Sequence, residues 1–176
     1  SYHARDGENA NSAVIVTVSP EDYGGDHPLA GVRFQRELER RAWEEGKGRI
    51  PVQRFEDYCM DRVSDHFGAV RPSMKGAYSF GNVRRIFPGE LAASIQEGIS
   101  RMDRKIRGFA GDDVLLSGVE SRTSSPVRIP RDEAFVSSVP WIYPCGEGAG
   151  YAGGITSAAM DGLKVAEALI RRFTEI

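Results

Sequence analysis

A glycine-rich stretch near the C-terminus constrains the fold more than any other feature of the sequence. Residues 143–162 read YPCGEGAGYAGGITSAAMDG and contain six glycines, five of them between Gly146 and Gly154. Glycine permits sharp turns and close backbone approach, and the alanine-rich residues that follow favour a helix. The pattern therefore predicts a short strand, a glycine turn, and a helix that extends from Gly154 to about Arg172.

The residues alone allow two interpretations of this turn. A helix that follows a glycine turn exposes unpaired N–H groups and the positive end of its dipole, which together bind anionic or electron-rich groups. The stretch lacks Gly-Lys-Ser/Thr, and its G-x-G-x-x-x-G spacing is one residue longer than the usual dinucleotide pattern. The alternative is a plain strand-to-helix connection. Likewise, Glu147 could accept hydrogen bonds from sugar or ribityl hydroxyls, or it could cap local N–H groups.

Composition excludes several classes of protein. The 176 residues are 40% hydrophobic and 27% charged, as in ordinary soluble globular domains. The net charge of −2 comes from 23 basic and 25 acidic residues without a long block of one sign, which argues against a nucleic-acid partner. No apolar run approaches the ~20 residues of a membrane span. The two cysteines lie far apart without metal-ligand spacing, so we expect a reducing, cytoplasmic environment.

The pattern of apolar residues predicts an α+β (mixed α/β) fold. Apolar residues recur every three or four positions in four segments, which predicts helices over residues 26–46, 52–63, 88–107 and 154–172. Short β-branched or apolar runs predict strands over residues 13–19, 113–121, 126–129 and 140–147. The first of these strands is expected to be buried on both faces. Residues 64–81 have no clear period and are predicted to be loop.

Four chemically distinctive side chains are assigned structural roles. Cys59 lies on the apolar stripe of the helix predicted over residues 52–63, so it is assigned to the core. Cys145 borders the glycine turn, where a thiol beside a cofactor could be redox active, but it has no partner cysteine nearby, so a buried structural role is preferred. Trp43 and Trp141 are assigned to packing, although Trp141 could also border a cofactor at this turn.

The histidines do not predict a metal site. His3, His27 and His66 are isolated, with no cysteine or carboxylate at ligand spacing. His27 precedes a proline and is most simply a residue at the start of a helix.

Four stretches resemble a family of bacterial FAD-dependent dehydrogenases that is related to glutathione-reductase-type flavoproteins. In chain order they are RDGENANSAVIVTVSPED, HPLAGVRFQRELERRAW, DRKIRGFAGDDVLLSGVESRTSSPVRI and YPCGEGAGYAGGITSAAMDGLKVAEAL. They are spread from Arg5 to Leu169, so the resemblance covers nearly the whole chain. It implies that the full-length protein uses FAD and passes hydride between the flavin and a small-molecule substrate.

The resemblance also implies which residues contact the cofactor. Gly146 and Glu147 would approach the ribityl and pyrophosphate region, and Gly148 is assigned to the same cofactor site. The N-terminus of the last helix would face the pyrimidine side of the isoalloxazine, where its dipole would stabilise negative charge on the reduced flavin. The residues at this helix end are Gly153, Gly154, Ile155 and Thr156.

The link ESRTSSPVR carries a candidate substrate site. Arg122, Ser124 and Ser125 could orient a carboxylate substrate near the flavin, where the resemblance places this stretch. The alternative is a polar hairpin whose Ser and Thr side chains bond to their own backbone. A second polar group near the N-terminus allows the same two interpretations, with a plain turn preferred for its aspartate. It comprises Arg5, Asp6, Asn9 and Asn11.

An FAD site built from this sequence is incomplete. Proteins of the family look longer, with an N-terminal βαβ unit whose G-x-G-x-x-G grips the adenosine pyrophosphate, and this sequence has no such element and does not begin with Met. We therefore expect residues 1–130 to be an inserted, substrate-facing domain and residues 131–176 to be the strand-helix unit that closes the FAD-binding domain. The partner would be the missing N-terminal half, and the piece alone would be inactive and bind FAD weakly or not at all.

A second class of function remains open. The chain could be a non-catalytic interaction or regulatory domain, in which the helices around residues 34–42 and 91–106 form a partner-binding surface. An apolar face exposed by the missing half could produce homodimers in either case.

Overall fold

The computed structural model describes residues 3–4 and 6–174. This part of the chain contains helices and a small sheet, which confirms the α+β class. In chain order the elements are α1 (Pro20–Tyr23), α2 (Ala30–Glu45), β1 (Ile50–Arg54), α3 (Phe55–Cys59), β2 (Tyr78–Phe80), α4 (Val83–Ile86), α5 (Gly89–Met102), β3 (Leu115–Ser117) and α6 (Ile155–Thr174).

These elements are distributed over two compact units. The first unit comprises the segment up to Ser19 together with Arg36–Val119, and the second comprises Pro20–Gln35 together with the segment from Glu120 onward. The domain boundary expected near residue 130 concerns the full-length protein, and it stays a prediction.

A three-stranded mixed sheet with β1 at its centre organises the first unit. Val52 of β1 lies opposite Phe80 of the parallel strand β2 and opposite Ser117 of the antiparallel strand β3. The side chain of Val52 is fully buried. The apolar residues buried with it include Phe55, Tyr58, Val83, Ile86, Ala92 and Ile99.

A buried polar network accompanies this sheet. Gln53 is fully buried, and its amide nitrogen donates to the Arg62 carbonyl at 2.7 Å and to Asn82 Oδ1 at 3.3 Å. Its amide oxygen accepts from the N–H of Arg84 at 3.1 Å. Because the amide has partners on both its nitrogen and its oxygen, the side chain is accommodated in the core and ties β1 to the segments around it.

Three predicted helices and one predicted strand are confirmed, with shifted ends. They correspond to α2, α5, α6 and β3. At the start of α2, His27 Nδ1 accepts a hydrogen bond from the N–H of Leu29 at 3.0 Å, as expected for a residue that begins a helix. Helix α5 ends sooner than predicted because Asp103 accepts from the N–H groups of Gly108 and Ala110, which turns the chain.

The helix predicted over residues 52–63 is wrong at residues 52–54, where β1 is found instead. Val52 and Gln53 have strand partners on both sides, and this tertiary pairing outweighs the local helical spacing. Only α3 remains of the predicted helix. The loop predicted over residues 64–81 contains β2 at its end, for the same reason.

The strand predicted over residues 13–19 is absent from the described structure, and Ile15 is 65% exposed, so the expected burial on both faces is wrong. The strands predicted over residues 126–129 and 140–147 are also absent. A strand needs a neighbouring ladder, however favourable its own residues are. In residues 140–147 the chain instead turns tightly at Trp141, which has a φ of +69°.

The buried structural role assigned to Cys145 is wrong, because Cys145 is exposed. Trp43 and Trp141 are 67% and 65% exposed, so any packing they provide is at the surface. The indole of Trp141 stacks on Phe173 with 6.2 Å between ring centroids, which is a contact at the surface rather than in a core. Cys59 is half-buried, and this burial raises the pKa of its thiol.

Candidate functional site

The glycine cluster, defined here as residues 146–154, leads directly into α6 in the second unit. It folds as a tight turn in which the N–H of Gly150 donates to the Glu147 carbonyl at 2.9 Å and the N–H of Tyr151 donates to the Gly146 carbonyl at 3.0 Å. Gly146 and Gly150 have φ angles of +68° and +81°, which side chains rarely adopt. The turn itself therefore accounts for glycine at these two positions.

Gly150 has a second constraint from packing. A Cβ atom at this position would lie 2.5 Å from the Val127 carbonyl oxygen and 3.0 Å from Arg128 Cα. Next to it, the N–H of Ile129 donates to the Ala149 carbonyl at 3.1 Å. Close backbone contact with residues 127–129 thus fixes this side of the cluster.

Gly148 and Gly153 lie in different surroundings. A Cβ atom at either position would meet no atom within 4 Å, and at Gly154 the nearest is Ser157 Oγ at 3.7 Å. None of the three has a positive φ. The packing of the described residues therefore does not require glycine here, and the open space fits the close approach of a flat or phosphate-bearing group.

Glu147 lies in the same turn and is half-buried. Within residues 6–174 its carboxylate has no hydrogen-bond or ion-pair partner, so the alternative that it caps local N–H groups does not describe this structure. A carboxylate in this state accepts hydrogen bonds from donors such as hydroxyl groups.

Gly153, Gly154, Ile155 and Thr156 lie together at the start of α6, which is 20 residues long. Ile155 is 94% exposed, and Thr156 is exposed too. Because the first N–H groups of a helix have no partner within it, this exposed end carries hydrogen-bond donors and partial positive charge.

Of the predicted substrate residues, Ser125 touches the glycine cluster. Its hydroxyl lies 3.1 Å from the Gly148 carbonyl oxygen and 2.9 Å from that of Val127. The contact with Val127 is the local bonding expected of a polar turn, while the contact with Gly148 joins a predicted substrate residue to a predicted cofactor residue. The side chains of Arg122 and Ser124 are exposed.

The described members of the second polar group belong to the first unit. Arg5 lies outside the described residues. Asn9 belongs to the first unit, where its side-chain nitrogen donates to the Arg71 carbonyl at 2.5 Å. Asp6 is exposed. The contact of Asn9 joins segments 62 positions apart, so it is not the local bonding of a plain turn.

An ion pair that the sequence analysis did not identify anchors the glycine cluster. Arg131 Nη2 lies 2.7 Å from Asp161 Oδ1, and Arg131 Nη1 lies 2.9 Å from Asp161 Oδ2. Asp161 Oδ2 also accepts from the N–H of Gly146 at 2.8 Å, and Arg131 Nη1 donates to the Pro144 carbonyl at 2.7 Å. The hydrogen bonds from Arg131 and then from Gly146 lower the pKa of Asp161 to about 2.

Tyr151 completes the anchoring. The guanidinium of Arg131 lies 3.6 Å from its ring centroid, and that of Arg128 lies 4.4 Å from it. The Tyr151 hydroxyl donates to the Ile129 carbonyl at 3.1 Å. A sequence signal for this arrangement existed in Asp161, a charged residue among the small residues of the last helix, but its partner is 30 positions away in the chain.

In residues 3–4 and 6–174, no three His, Cys, Asp or Glu side chains are grouped so that they could hold a metal ion. Across the same residues, no helix has both the length and the apolar character needed to cross a membrane.

Comparison with known proteins assigns the chain to a family through residues that precede the glycine cluster. The model of the family described as FAD-dependent protein, C-terminal domain-like, matches residues 1–123. An uncharacterized protein from Clostridium beijerinckii is 49% identical over 176 residues, which cover 98% of this chain and 33% of that protein. The chain thus spans about a third of the length of this curated relative. Since the family model matches well over half of the residues, the chain belongs to the family of FAD-dependent protein C-terminal domains.

Proposed function

We propose that the full-length protein is an FAD-dependent oxidoreductase and that this chain supplies part of its flavin site. The observation that carries this proposal is the open space at Gly148 and Gly153, close in sequence to Glu147, whose carboxylate has no partner among residues 3–4 and 6–174. Membership of an FAD-dependent family supports the choice of cofactor. When bound, FAD supplies the hydride-transfer chemistry, and the protein supplies binding, orientation and electrostatics.

The residues of this chain would have distinct roles toward the cofactor. The carboxylate of Glu147 would accept hydrogen bonds from ribityl hydroxyls, while Gly146 and Gly148 would allow the backbone to approach the ribityl and pyrophosphate region. The exposed N-terminus of α6, formed by residues 153–156, would lie toward the pyrimidine side of the isoalloxazine. Its dipole favours negative charge at that position.

The substrate proposed here is a small molecule with a carboxylate. Arg122 and Ser124 are exposed and would orient it, since a guanidinium and a hydroxyl are suitable donors for a carboxylate. Ser125 would act differently, because its hydroxyl is already within hydrogen-bond distance of the Gly148 carbonyl. It would hold the substrate-facing link against the cofactor-facing turn.

The proposed partner is the remainder of the full-length protein. Helix α6 carries an outer stripe of apolar residues that recur every three or four positions and are all exposed. They are Ile155, Ala159, Leu163, Ala166, Ile170 and Phe173. The face of α6 that includes Val165 is already buried, and the outer stripe is a second apolar face. Helix α6 is therefore suited to packing on two sides.

The alternative, a non-catalytic interaction domain, has less support. It requires free apolar faces on α2 and α5, but Leu38, Ala42 and Ile99 are buried in the first unit. These residues are already used for the unit's own packing.

Purified full-length protein tests the proposal directly. We expect flavin absorbance bands at one FAD per chain and loss of these bands when NADH, NADPH or another hydride donor is added without oxygen. The 176-residue chain should bind FAD weakly or not at all. Full-length protein that stays free of flavin after incubation with FAD would overturn the proposal, and tight stoichiometric binding by the short chain would overturn the division of the site.

A pair of glycine substitutions tests the location of the site. Gly153→Val adds a side chain where, apart from the adjacent residues, no atom of the described chain lies within 4 Å of the new Cβ, and Gly98→Val does the same on α5 in the first unit. We expect Gly153→Val to raise the dissociation constant for FAD by about tenfold or more, because the new methyl groups fill space meant for the cofactor. Gly98→Val should leave it unchanged. Equal effects of the two substitutions would argue against this location.

A further inference from the structure

Asp161 joins three separate parts of the second unit. It belongs to α6, it forms a two-point ion pair with Arg131 in the preceding loop, and it accepts the N–H of Gly146 at the start of the glycine cluster. The side chains of Arg131 and Asp161 are only 10% and 13% exposed. The anchoring is therefore shielded from most of the competition with water.

The hydrogen bond to Gly146 controls the conformation of the turn. Gly146 has a φ of +68°, and its N–H is held at 2.8 Å by a charged oxygen, which is a stronger acceptor than a neutral one. The next residue is Glu147, whose carboxylate has no partner among residues 6–174. The direction of Glu147 is thus set by its backbone, which is held by the bond from Gly146 to Asp161 and by the bond from the N–H of Gly150 to the Glu147 carbonyl.

Arg131 is held in place in turn. Its guanidinium lies 3.6 Å from the ring centroid of Tyr151 and 4.6 Å from that of Phe135, and it donates to the Pro144 carbonyl in addition to Asp161. A planar guanidinium can satisfy a two-point carboxylate contact and ring stacking together, whereas a lysine ammonium cannot. The requirement at position 131 is therefore for arginine and not simply for a cation.

We propose that Arg131 and Asp161 are a positioning pair that holds the turn at Gly146–Glu147 and the start of α6 in the arrangement that binds the flavin, before the cofactor arrives. This inference rests on the proposed function. Neither side chain needs to touch the cofactor. A turn fixed in advance binds more tightly because less conformational freedom is lost on binding.

A purely structural role is the competing explanation, and it makes a different prediction. Ion pairs that are largely buried often contribute little net stability, because desolvation offsets their attraction. If the pair served only to stabilise the unit, its loss would affect flavin binding no more than any substitution that destabilises α6 to the same extent.

The test uses apo full-length protein titrated with FAD, with the quenching of flavin fluorescence as the measure of binding. The variants are Asp161→Asn and Arg131→Lys, and the matched control is Val165→Ala, which truncates a buried side chain of the same helix without removing a polar contact of the turn. We expect both pair variants to raise the dissociation constant by about tenfold or more and to change the visible circular dichroism of the bound flavin. The control should lower the unfolding temperature and leave both readouts near the wild-type values.

The outcomes separate this inference from the proposed function. Wild-type protein that binds no FAD overturns the proposed function and this inference with it. The positioning role alone is overturned if the wild-type protein binds FAD and the pair variants do not differ from the wild type, or from the Val165→Ala control, in affinity and circular dichroism. Should Asp161→Asn fail to fold, Arg131→Lys retains a cation at that position and decides the question in the same way.

Discussion

The two units differ in how completely they bury their own apolar residues. In the first, Val52, Tyr58 and Ile99 are at most 1% exposed around the central strand. In the described part of the second, the buried aliphatic side chains are Ala149 and Val165, while the outer stripe of α6 lies at the surface. The first unit completes a core of its own, whereas the second presents apolar surface that another part of the protein can cover.

Polar interactions show the same difference. In the first unit, Gln53 has hydrogen-bond partners within the core and connects neighbouring segments of that core. In the second, Arg131 and Asp161 hold a turn that lies beside open space. Similar contacts thus support packing in one unit and orient a surface in the other.

The sharpest test of this difference is the accessibility of the outer stripe. In a background without native cysteines, we expect Leu163→Cys to react with a maleimide on the order of a thousandfold more slowly in the full-length protein than in the 176-residue chain, because the remainder of the protein covers it. The control is Lys164→Cys on the polar side of α6, which should react rapidly in both. Equal rates for Leu163→Cys in the two proteins would mean that the stripe is not covered.

The second test compares one isoleucine in each unit. Ile99→Ala should reduce the free energy of unfolding of the 176-residue chain by about 2–5 kcal/mol, because Ile99 is 1% exposed and its truncation leaves a cavity. Ile155→Ala should change it by less than about 0.5 kcal/mol, since Ile155 is 94% exposed. Urea unfolding followed by circular dichroism measures both. Similar losses would mean that α6 is covered in the short chain as well.

The third test compares two glutamines. Gln53→Leu leaves the Arg62 carbonyl and the Arg84 N–H without their partner in a buried region, so we expect a loss of about 1–3 kcal/mol in the free energy of unfolding. Gln35→Leu removes a bond to the Ser121 carbonyl at 2.9 Å, but the half-buried site admits water, so the loss should be about 0.5 kcal/mol. The same urea experiment applies, and a larger loss for Gln35→Leu would contradict the comparison.

The elements that the sequence predicted well are those whose signal is local. In helices α2, α5 and α6, apolar residues recur every three or four positions over most of the helix, and the residues that signal each helix end lie within a few positions of that end. The predictions were wrong where the pairing of strands that are distant in the sequence decides the structure. The predicted helix begins at Val52, yet β1 forms over residues 52–54 because β2 and β3 flank it. Residues 13–19 have strand composition without a strand in the described structure.

The candidate site was predictable to a similar extent. Glycine, glutamate and helix residues adjacent in sequence were identified as a group, and the structure places them in one turn at the start of α6. The residues that anchor this turn were missed. Arg131 is 30 positions from Asp161, and nothing in the local pattern of either residue indicates the other. Long-range pairs of this kind become visible only once the chain is folded.

The smallest expected effect is a pH dependence at Asp161. Its pKa is lowered from 3.8 to about 2 in the folded protein, chiefly by the hydrogen bonds from Arg131 and to a smaller extent by the hydrogen bond from the N–H of Gly146. Because the pKa of Asp161 is lower in the folded than in the unfolded protein, the ionised carboxylate stabilises the fold at pH values above its unfolded pKa. This contribution to the free energy of unfolding is complete above about pH 4 and is lost as the pH falls toward 2. Other carboxylates, such as Glu37, also have lowered pKa values, but they titrate equally in an Asp161→Asn variant. The difference in free energy of unfolding between wild type and Asp161→Asn, measured with urea from pH 5 to pH 2, should therefore shrink. A difference that stays constant over this range would show that the carboxylate charge of Asp161 does not hold the turn.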